Sequence, residues 1–268
     1  MISHKEQSLD AKIVASLPPD SRCRAVFDAL NSAPALRETQ EYANAVSIRR
    51  LGYNDHGPVH MRQVALNAVR MISLLRDAGI QTSLEEEESG GFDDSLCAVF
   101  IAGFLHDIGM AIGRDRHEQM SLILAAPFIE RGLDAVPTWD TARRVAIRAT
   151  VMECIAGHMG TQRIHSLEAG IVLVADGCDM TKGRARIPMI FNTVPSVGDI
   201  HKYSANSIEH VRISKGKKKP VLISVEMSAE VGFFQIEEVL LKKIDASPAK
   251  EHIELVAGVA GQEAKQYL

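Results

Sequence analysis

This chain of 268 residues has few cysteines, few aromatic residues and a small net charge. Its four cysteines, at positions 23, 97, 154 and 178, form no CxxC pair, which argues against a disulfide scaffold or a cysteine-rich zinc site. Aromatic residues make up only 5% of the chain, so the sequence offers no stacking platform for single-stranded nucleic acid. A formal net charge of -4 argues against non-specific binding to DNA or to anionic membranes.

Long apolar runs are also lacking. The most apolar stretch, residues 98–112, is too short to cross a bilayer and is interrupted by two polar residues. We find no signal peptide, and scattered cysteines without one are typical of a reducing cytoplasm. We therefore expect a cytoplasmic protein with no membrane partner. Apolar residues amount to 46% of the chain, which is enough for a sizeable core.

Helical periodicity dominates the first two thirds of the chain, and no strand-like alternation precedes residue 205. The first twenty residues look weakly ordered at first and end in Pro18-Pro19. Asn54 or Asp55 is expected to cap the helix that follows it, and residues 84–95 form an acidic loop or exposed cap. The pattern predicts helices near residues 21–32 and 36–51, a helix after Asn54 or Asp55 whose apolar residues run from Val59 to Gly79, and helices near 98–112, 117–132, 138–158 and 164–180.

The pattern changes after residue 205. HVRIS (210–214) and KPVLISVEM (219–227) read as two strands of a hairpin, with the lysine-rich KGKKK as its solvated tip. FFQIEEVLLKKI (233–244) is amphipathic and helical, and EHIELVA (251–257) reads as a further strand. The fold class is therefore mostly α, a helical bundle with a small C-terminal α+β (ββαβ) subdomain.

His106 and Asp107 are the polar pair that interrupts the apolar run AVFIAGFLHDIGMAI. A helix that is apolar on every side is normally buried, and a buried carboxylate needs a partner. No basic residue lies close in sequence, whereas a divalent metal ion would satisfy the imidazole and the carboxylate together. The alternative is a His-Asp hydrogen bond within a core.

Four further residues favour the metal. A single histidine on a helix is more often structural than a ligand, but Asp176 is a second carboxylate in an apolar helical run. Two such carboxylates point to one shared polar centre, of the kind that facing helices build inside a bundle. The candidate ligands beside His106 and Asp107 are His60, His117, His158 and Asp176.

The ordered set His60, His106-Asp107 and Asp176 resembles the HD-domain superfamily of metal-dependent phosphohydrolases. FLHDIG and VADGCDM are similar to the second and last motifs of that family, and His117 and His158 resemble the additional ligands of its binuclear H…HD…H…H…D branch. The gap of eighteen residues between His158 and Asp176 is similar to that in bacterial dinucleoside-tetraphosphate hydrolases of the superfamily. The resemblance covers roughly residues 50–186.

This resemblance implies an HD-domain helical bundle and a metal-dependent phosphohydrolase that cleaves a phosphoester or phosphoanhydride through a metal-bound hydroxide. It divides the chain into an N-terminal helical extension (1–50), an HD metal-binding helical domain (51–204) and the C-terminal α+β subdomain (205–268). His60, His106, Asp107 and Asp176 would hold one ion, and Asp107, His117 and His158 a second, with Asp107 as the bridge. Histidine-rich ligation favours Fe, Mn, Zn or Co.

The substrate implied is a small phosphorylated molecule or a nucleotide. His56, in YNDHGPVH, resembles the proton-donating histidine of a motif found in cyclic-nucleotide phosphodiesterases, and is a candidate general acid. The match is partial, and Gly57-Pro58 could start the helix too late for His56 and His60 to share a face. A helix-entry role for His56 is the alternative.

Basic residues near the motifs could bind the phosphate. Lys182, Arg184 and Arg186 directly follow the last motif and are predicted to contact substrate, since arginine forks suit phosphate oxygens. The alternative is an ordinary basic helix terminus. Arg114 and Arg116 could also reach the site from the segment before His117.

Two other functions share this ligand set. Some HD proteins with the same ligands resemble mixed-valent di-iron oxygenases, and a non-catalytic, metal-stabilised sensor could use the C-terminal subdomain to bind a ligand or partner. The presence of all six ligands weighs against a degenerate sensor. The basic segment suits an anionic substrate and so favours the hydrolase. Homo-oligomerisation is left open.

Overall fold

The computed structural model of this protein describes residues 2–181 and 204–268. The first range is helical, and the second holds a small four-stranded sheet with its own helix, which confirms the mostly α fold with an α+β C-terminal part. The helices of the first range are α1 (His4–Ser16), α2 (Cys23–Asn31), α3 (Pro34–Ala45), α4 (Pro58–Asp77), α5 (Ser83–Glu86), α6 (Phe92–Leu105), α7 (His117–Asp134), α8 (Thr141–Gly157) and α9 (Leu167–Gly177).

Helix α6 is the centre of the core. Every residue from Asp94 to Leu105 is buried, because α4, α8 and α9 surround the helix and α2 covers its remaining side. The helix ends at Leu105, so His106 and Asp107 follow it and are not inside one continuous helix, as the apolar run had suggested. A short 3₁₀ turn, Ile108–Ala111, comes next. The polar pair thus lies where backbone groups need capping partners.

One apolar stretch is longer than the sequence pattern had suggested. Within the described residues, one helical stretch, Phe92–Ala111, has the length and mean hydropathy (1.4) of a membrane span. Of the 18 residues over which this mean is taken, 94% are buried inside the protein. The stretch is apolar on all sides because other helices cover it on all sides.

The start of the chain is ordered, contrary to the expectation for its first residues. Ser3 caps α1, and the Glu6 carboxylate accepts a hydrogen bond from the Ser3 backbone N–H at 2.8 Å, which forms a capping box. Leu9 and Ile13 are buried in the core. Asp10 receives a hydrogen bond from Arg62 Nε on α4 at 2.8 Å, so α1 is held to the bundle by both apolar and ionic contacts.

Helix α4 begins later than expected. Gly57 is at the N-cap position and Pro58 is the first helical residue, where its missing N–H costs nothing. Asp55 does not cap the helix itself, because its Oδ1 accepts the Gly57 N–H at 2.8 Å and forms a turn just before the helix. His56 is therefore outside α4, whereas His60 is in its first turn.

The C-terminal subdomain follows the predicted ββαβ order. Strands β1 (Ile208–Lys215) and β2 (Val221–Met227) form an antiparallel hairpin, and β3 (Ile253–Val259) pairs with β2 in parallel. A two-residue strand, β4 (Lys265–Gln266), completes the sheet order β1-β2-β3-β4. The crossover from β2 to β3 carries a helical segment over residues 233–246, called α10 below, which includes the π-helical turn Ile236–Leu240. Helix α10 packs against α9 of the bundle.

Helices α4 and α6 approach each other closely at Gly103. A Cβ at this position would lie 2.8 Å from Ala65 Cα and 2.9 Å from Ala65 N, both backbone atoms that cannot give way locally. At Gly113, by contrast, nothing lies within 4 Å of such a Cβ. The packing of α4, which carries His60, against α6, which precedes the His106-Asp107 pair, thus depends on the absence of a side chain at residue 103.

Gly103→Ala is expected to lower the free energy of unfolding by about 1–3 kcal/mol, because overpacking against backbone outweighs the better helix propensity of alanine. Gly113→Ala, the matched control, should change it by less than about 1 kcal/mol. Denaturant unfolding measures both. A Gly103→Ala variant as stable as the parent would mean that α4 and α6 can separate without cost.

Candidate metal centre

Six predicted ligands meet at one place because the ends of five helices meet there. His60 lies in the first turn of α4 and His117 is the first residue of α7. His106 and His158 are the residues just after α6 and α8. Asp107 and Asp176, the latter in the last turn of α9, complete a cluster whose members are all buried.

Three of the histidines are oriented by the same local device. The Nδ1 atoms of His106, His117 and His158 each lie within hydrogen-bond distance of the carbonyl oxygen three residues earlier, at 3.0, 3.0 and 2.7 Å. A carbonyl can only accept, so Nδ1 carries the proton and Nε2 keeps its lone pair. For His106 and His158 the accepting carbonyl belongs to a helix C-terminus, which would otherwise lack a partner.

His60 is oriented by a carboxylate instead. Its Nδ1 lies 2.7 Å from Asp179 Oδ2, which accepts the ring proton and turns the lone pair of Nε2 toward the cluster. Carboxylate-histidine pairs of this kind hold metal-binding imidazoles in proteins. Sequence reasoning did not assign this role to Asp179. Its position three residues after Asp176, near one helix end, was the signal available.

The imidazole lone pairs face one another across short distances. His60 Nε2 lies 3.1 Å from His106 Nε2, and His117 Nε2 lies 3.1 Å from His158 Nε2. Neither atom of these pairs has a proton to donate, so the contacts are repulsive unless a cation lies between them. Two donors that are each about 2.1 Å from one ion, at angles near 90–110°, would be about 3.0–3.4 Å apart. The donor set therefore fits metal ions.

Asp107 faces both histidine pairs, with a different oxygen toward each. Its Oδ2 lies 3.1 Å from His60 Nε2 and 3.4 Å from His106 Nε2. Its Oδ1 lies 3.1 Å from His117 Nε2 and 3.4 Å from His158 Nε2. One carboxylate thus joins two sets of nitrogen donors. Asp176 adjoins the first set, since its Oδ1 lies 3.3 Å from His60 Nε2 and 3.8 Å from His106 Nε2.

The protonation states suit cation binding. Burial opposes ionisation of Asp107, but electrostatic interactions with His106 and His56 hold its pKa well below the usual range. Burial likewise opposes ionisation of Asp176, and the nearby Lys243 ammonium is the main cause that lowers the pKa of this carboxyl. Burial lowers the pKa of the His158 imidazole to about 4. At neutral pH the cluster therefore has two carboxylates and, in His158, a neutral imidazole.

Gly109 of the HDIG sequence keeps His117 in place. A Cβ at Gly109 would lie 2.0 Å from the His117 carbonyl oxygen and 2.5 Å from Ser121 N. The Gly109 N–H also donates to Ser121 Oγ at 2.8 Å, which ties the turn after the HD pair to α7. Any side chain at residue 109 would displace the first turn of α7, and His117 with it.

A cavity of about 200 Å³ opens onto the cluster. His56, Asp107 and Asp176 line it from the bundle, and the His56 Nδ1 atom lies 2.5 Å from Asp107 Oδ2. Arg114 also lines it, and its buried Nη1 has no hydrogen-bond partner in the part of the chain that the structure describes. An unsatisfied guanidinium nitrogen in a cavity wall is a ready donor to an anion.

The opposite wall comes from the C-terminal subdomain. Gln235, Val239 and Lys243 of α10 line the same cavity, and Lys243 Nζ donates to Asp176 Oδ2 at 2.5 Å. Sequence reasoning missed Lys243, although helical periodicity places it on the same face of α10 as the buried Ile236 and Leu240 and places Lys242 off that face. The predicted substrate contacts Lys182, Arg184 and Arg186 lie outside the described residues.

Comparison with known proteins agrees with the geometry. The family model of the HD domain matches residues 59–181, the range that contains all six clustered residues. A curated protein of Methanocaldococcus jannaschii, described as "Uncharacterized protein MJ1020", is 38% identical over 234 residues, which cover 87% of this chain and 88% of that protein. This chain belongs to the HD-domain family. No solved structure matches it.

HD domains are typically metal-dependent phosphohydrolases. In this HD-domain protein the clustered histidines and aspartates indicate divalent-metal binding, consistent with the family. The family match covers the bundle but not the C-terminal subdomain, although the M. jannaschii relative aligns over most of the chain. The family suggests metal-dependent hydrolase chemistry in general.

The depressed pKa of His158 gives the metal-free protein a specific acid sensitivity. Between pH 6.5 and 4 the unfolded chain protonates this imidazole while the folded chain does not, so the free energy of unfolding falls as pH falls through that window, by up to about 3 kcal/mol. His158→Gln should have a shallower slope there, and the exposed-residue control His165→Gln should match the parent. Denaturant unfolding in chelator measures the slopes. Equal slopes in all three proteins would contradict a lowered pKa at His158.

Proposed function

We propose that this HD-domain protein is a di-metal-dependent phosphohydrolase that cleaves a phosphoester or phosphoanhydride bond of a small molecule or nucleotide. The observation that carries the proposal is the buried Asp107 carboxylate, whose two oxygens face two separate sets of imidazole nitrogens. Two divalent ions held there would lower the pKa of a shared water and neutralise charge on the phosphoryl group.

The ligands divide between the two ions at Asp107. His60, His106 and Asp176, with Asp107 Oδ2, would hold the first ion. His117 and His158, with Asp107 Oδ1, would hold the second. Four of these six ligands are imidazoles, which suits Fe, Mn, Zn or Co.

The charge of the cavity supports an anionic substrate. Among the described lining residues, the carboxylates of Asp107, Asp176 and Asp179 outnumber the cationic groups of Arg114 and Lys243 by one. Without ions the cavity therefore attracts cations, and two divalent ions would reverse the balance and favour a phosphate. The orphaned Arg114 Nη1 supplies a donor for a phosphoryl oxygen. Lys182, Arg184 and Arg186 remain predicted substrate contacts.

His56 is the proposed general acid. Its ring lines the cavity beside Asp107, and with the Nδ1 proton donated to Asp107 Oδ2, a proton on Nε2 would be available to the leaving oxygen of the substrate. The backbone N–H of His56 donates to Asn44 Oδ1 at 3.3 Å, which helps to hold the segment before α4 in place. The side chain also lies close enough to His60 and Asp107 to act as a ligand, so its role needs a direct test.

The protein is expected to hold about two transition-metal ions per chain. Asp107→Ala and His117→Ala should differ in how many of these ions they lose. Asp107→Ala removes the carboxylate common to both sets and should abolish binding of both ions. His117→Ala should lose mainly the second ion. Elemental analysis after reconstitution with Mn or Fe measures this, with the exposed His165→Ala as the control that retains both. Full metal content in both test variants would refute the shared-ligand assignment.

A general acid at His56 predicts a dependence on the leaving group. His56→Gln should retain both ions but lower kcat by about 10²–10⁴-fold for substrates with a poor alkoxide leaving group. The loss should be much smaller with p-nitrophenyl phosphate, whose leaving group needs little protonation. A loss of metal in this variant would make His56 a ligand, and equal losses for all substrates would exclude proton donation.

The substrate screen tests the function itself. The metal-loaded protein is assayed for phosphate or nucleotide release from nucleoside mono-, di- and triphosphates, dinucleoside polyphosphates, cyclic nucleotides and sugar phosphates. Asp107→Ala serves as the inactive control. The proposal expects metal-dependent hydrolysis of at least one class. Dioxygen consumption with an organic substrate and no phosphate release would overturn it in favour of an oxygenase.

A further inference from the structure

Lys243 of α10 enters the metal centre from the C-terminal subdomain. Its side chain is only 12% exposed, and its ammonium group donates to Asp176 Oδ2 at 2.5 Å and to the His158 carbonyl oxygen at 2.8 Å. Asp176 belongs to the first set of ligands and His158 to the second. One side chain of the appended subdomain therefore contacts residues on both sides of Asp107.

Two glycines of α9 allow the close approach that Lys243 needs. Gly170 and Gly177 are seven residues apart and so face the same side of the helix. A Cβ at Gly177 would lie 3.0 Å from Lys243 Cδ, and one at Gly170 would lie 2.6 Å from Ser247 Oγ, just after α10. The stem of Lys243 thus runs directly over the backbone of α9. The contact is a built part of the interface between the subdomain and the bundle.

The ammonium group has one donor left for a ligand. A lysine ammonium has three protons, and two of them go to Asp176 and the His158 carbonyl. Within residues 2–181 and 204–268, the third has no acceptor. Lys243 lines the cavity together with Arg114, whose Nη1 is also unsatisfied. Two cationic groups from different subdomains thus border the same space beside Asp107.

We infer that Lys243 binds a phosphoryl oxygen of the substrate, together with Arg114, so that the substrate site is shared between the HD bundle and the C-terminal subdomain. The identity of the anion rests on the proposed phosphohydrolase function. The placement of the donors rests on geometry alone. The C-terminal subdomain then forms a wall of the substrate site itself. It is not a separate sensing module.

The neighbouring lysine supplies a matched control. Lys242 precedes Lys243 on α10 but is 64% exposed, and it forms an ion pair with Glu238 four residues earlier. Lys242→Met removes the same charge from the same helix without touching the cavity. Lys243→Met keeps the length of the stem that packs over Gly177 while removing only the ammonium group. Lys243→Arg retains a cation and donors.

The test measures binding of inorganic phosphate to the full-length, Mn-loaded protein by calorimetry, with metal content and thermal unfolding determined for every variant. Loss of one charged contact should weaken phosphate binding by about tenfold to a hundredfold in Lys243→Met. Lys242→Met should bind as the parent does, and Lys243→Arg should recover part of the loss. Metal content should be unchanged in all of them.

Three results separate the outcomes. Weaker phosphate binding with full metal content in Lys243→Met, together with an unaffected Lys242→Met, supports the inference. Phosphate binding within twofold of the parent overturns it. Loss of metal in Lys243→Met, or weakening to the same extent in Lys242→Met, also overturns it, since Lys243 would then act on the ligands or through general charge. Because none of these readouts requires turnover, failure of the hydrolase assay would leave them interpretable.

Discussion

The buried carboxylate of Asp107 is the constraint on which the rest of the site depends. It is 2% exposed in the centre of an apolar bundle, and its nearest partners are imidazoles. A buried charge is tolerated only where other groups compensate it. The imidazoles around it present nitrogen atoms that face one another at 3.1 Å, an arrangement that fits divalent-metal binding. Metal binding would therefore satisfy Asp107 and the histidines together.

Helix ends supply this arrangement at little structural cost. His106, His117 and His158 are all oriented through the carbonyl oxygen three residues earlier, at a place where helical hydrogen bonding begins or ends. The same contact that satisfies a backbone acceptor also aims Nε2 at the centre. His60 uses the Asp179 carboxylate, which comes from the end of α9. The rigid bundle thus positions ligands that a loop could not hold as accurately.

The C-terminal subdomain has a closer relation to the site than its separate sheet suggests. Its sheet is built from its own strands, yet α10 lies along α9 and delivers Lys243 to Asp176. The glycines at 170 and 177 remove the side chains that would keep the two apart. Docking of the subdomain thus places the Lys243 ammonium beside the metal centre, in contact with Asp176 and with the His158 carbonyl.

The sequence by itself determined the class of fold and the members of the cluster. Helical periodicity and the ββαβ order near the C-terminus follow from local patterns of apolar residues, and buried carboxylates at 107 and 176 imply a shared polar centre because an isolated buried charge is too costly. Even the misjudged start of the chain carried a local signal, the capping box of Ser3 and Glu6.

Only the tertiary structure decided how these residues meet. Which oxygen of Asp107 faces which histidine, the pairing of His60 with Asp179 and the arrival of Lys243 beside Asp176 all join residues far apart in the chain. Helical periodicity places Lys243 on the same face of α10 as Leu240 and places Lys242 off that face, but periodicity alone does not show which of the two is buried against a charge. Their difference arises when α10 packs on the glycine face of α9, because packing between distant elements decides which side chain is buried against a charge.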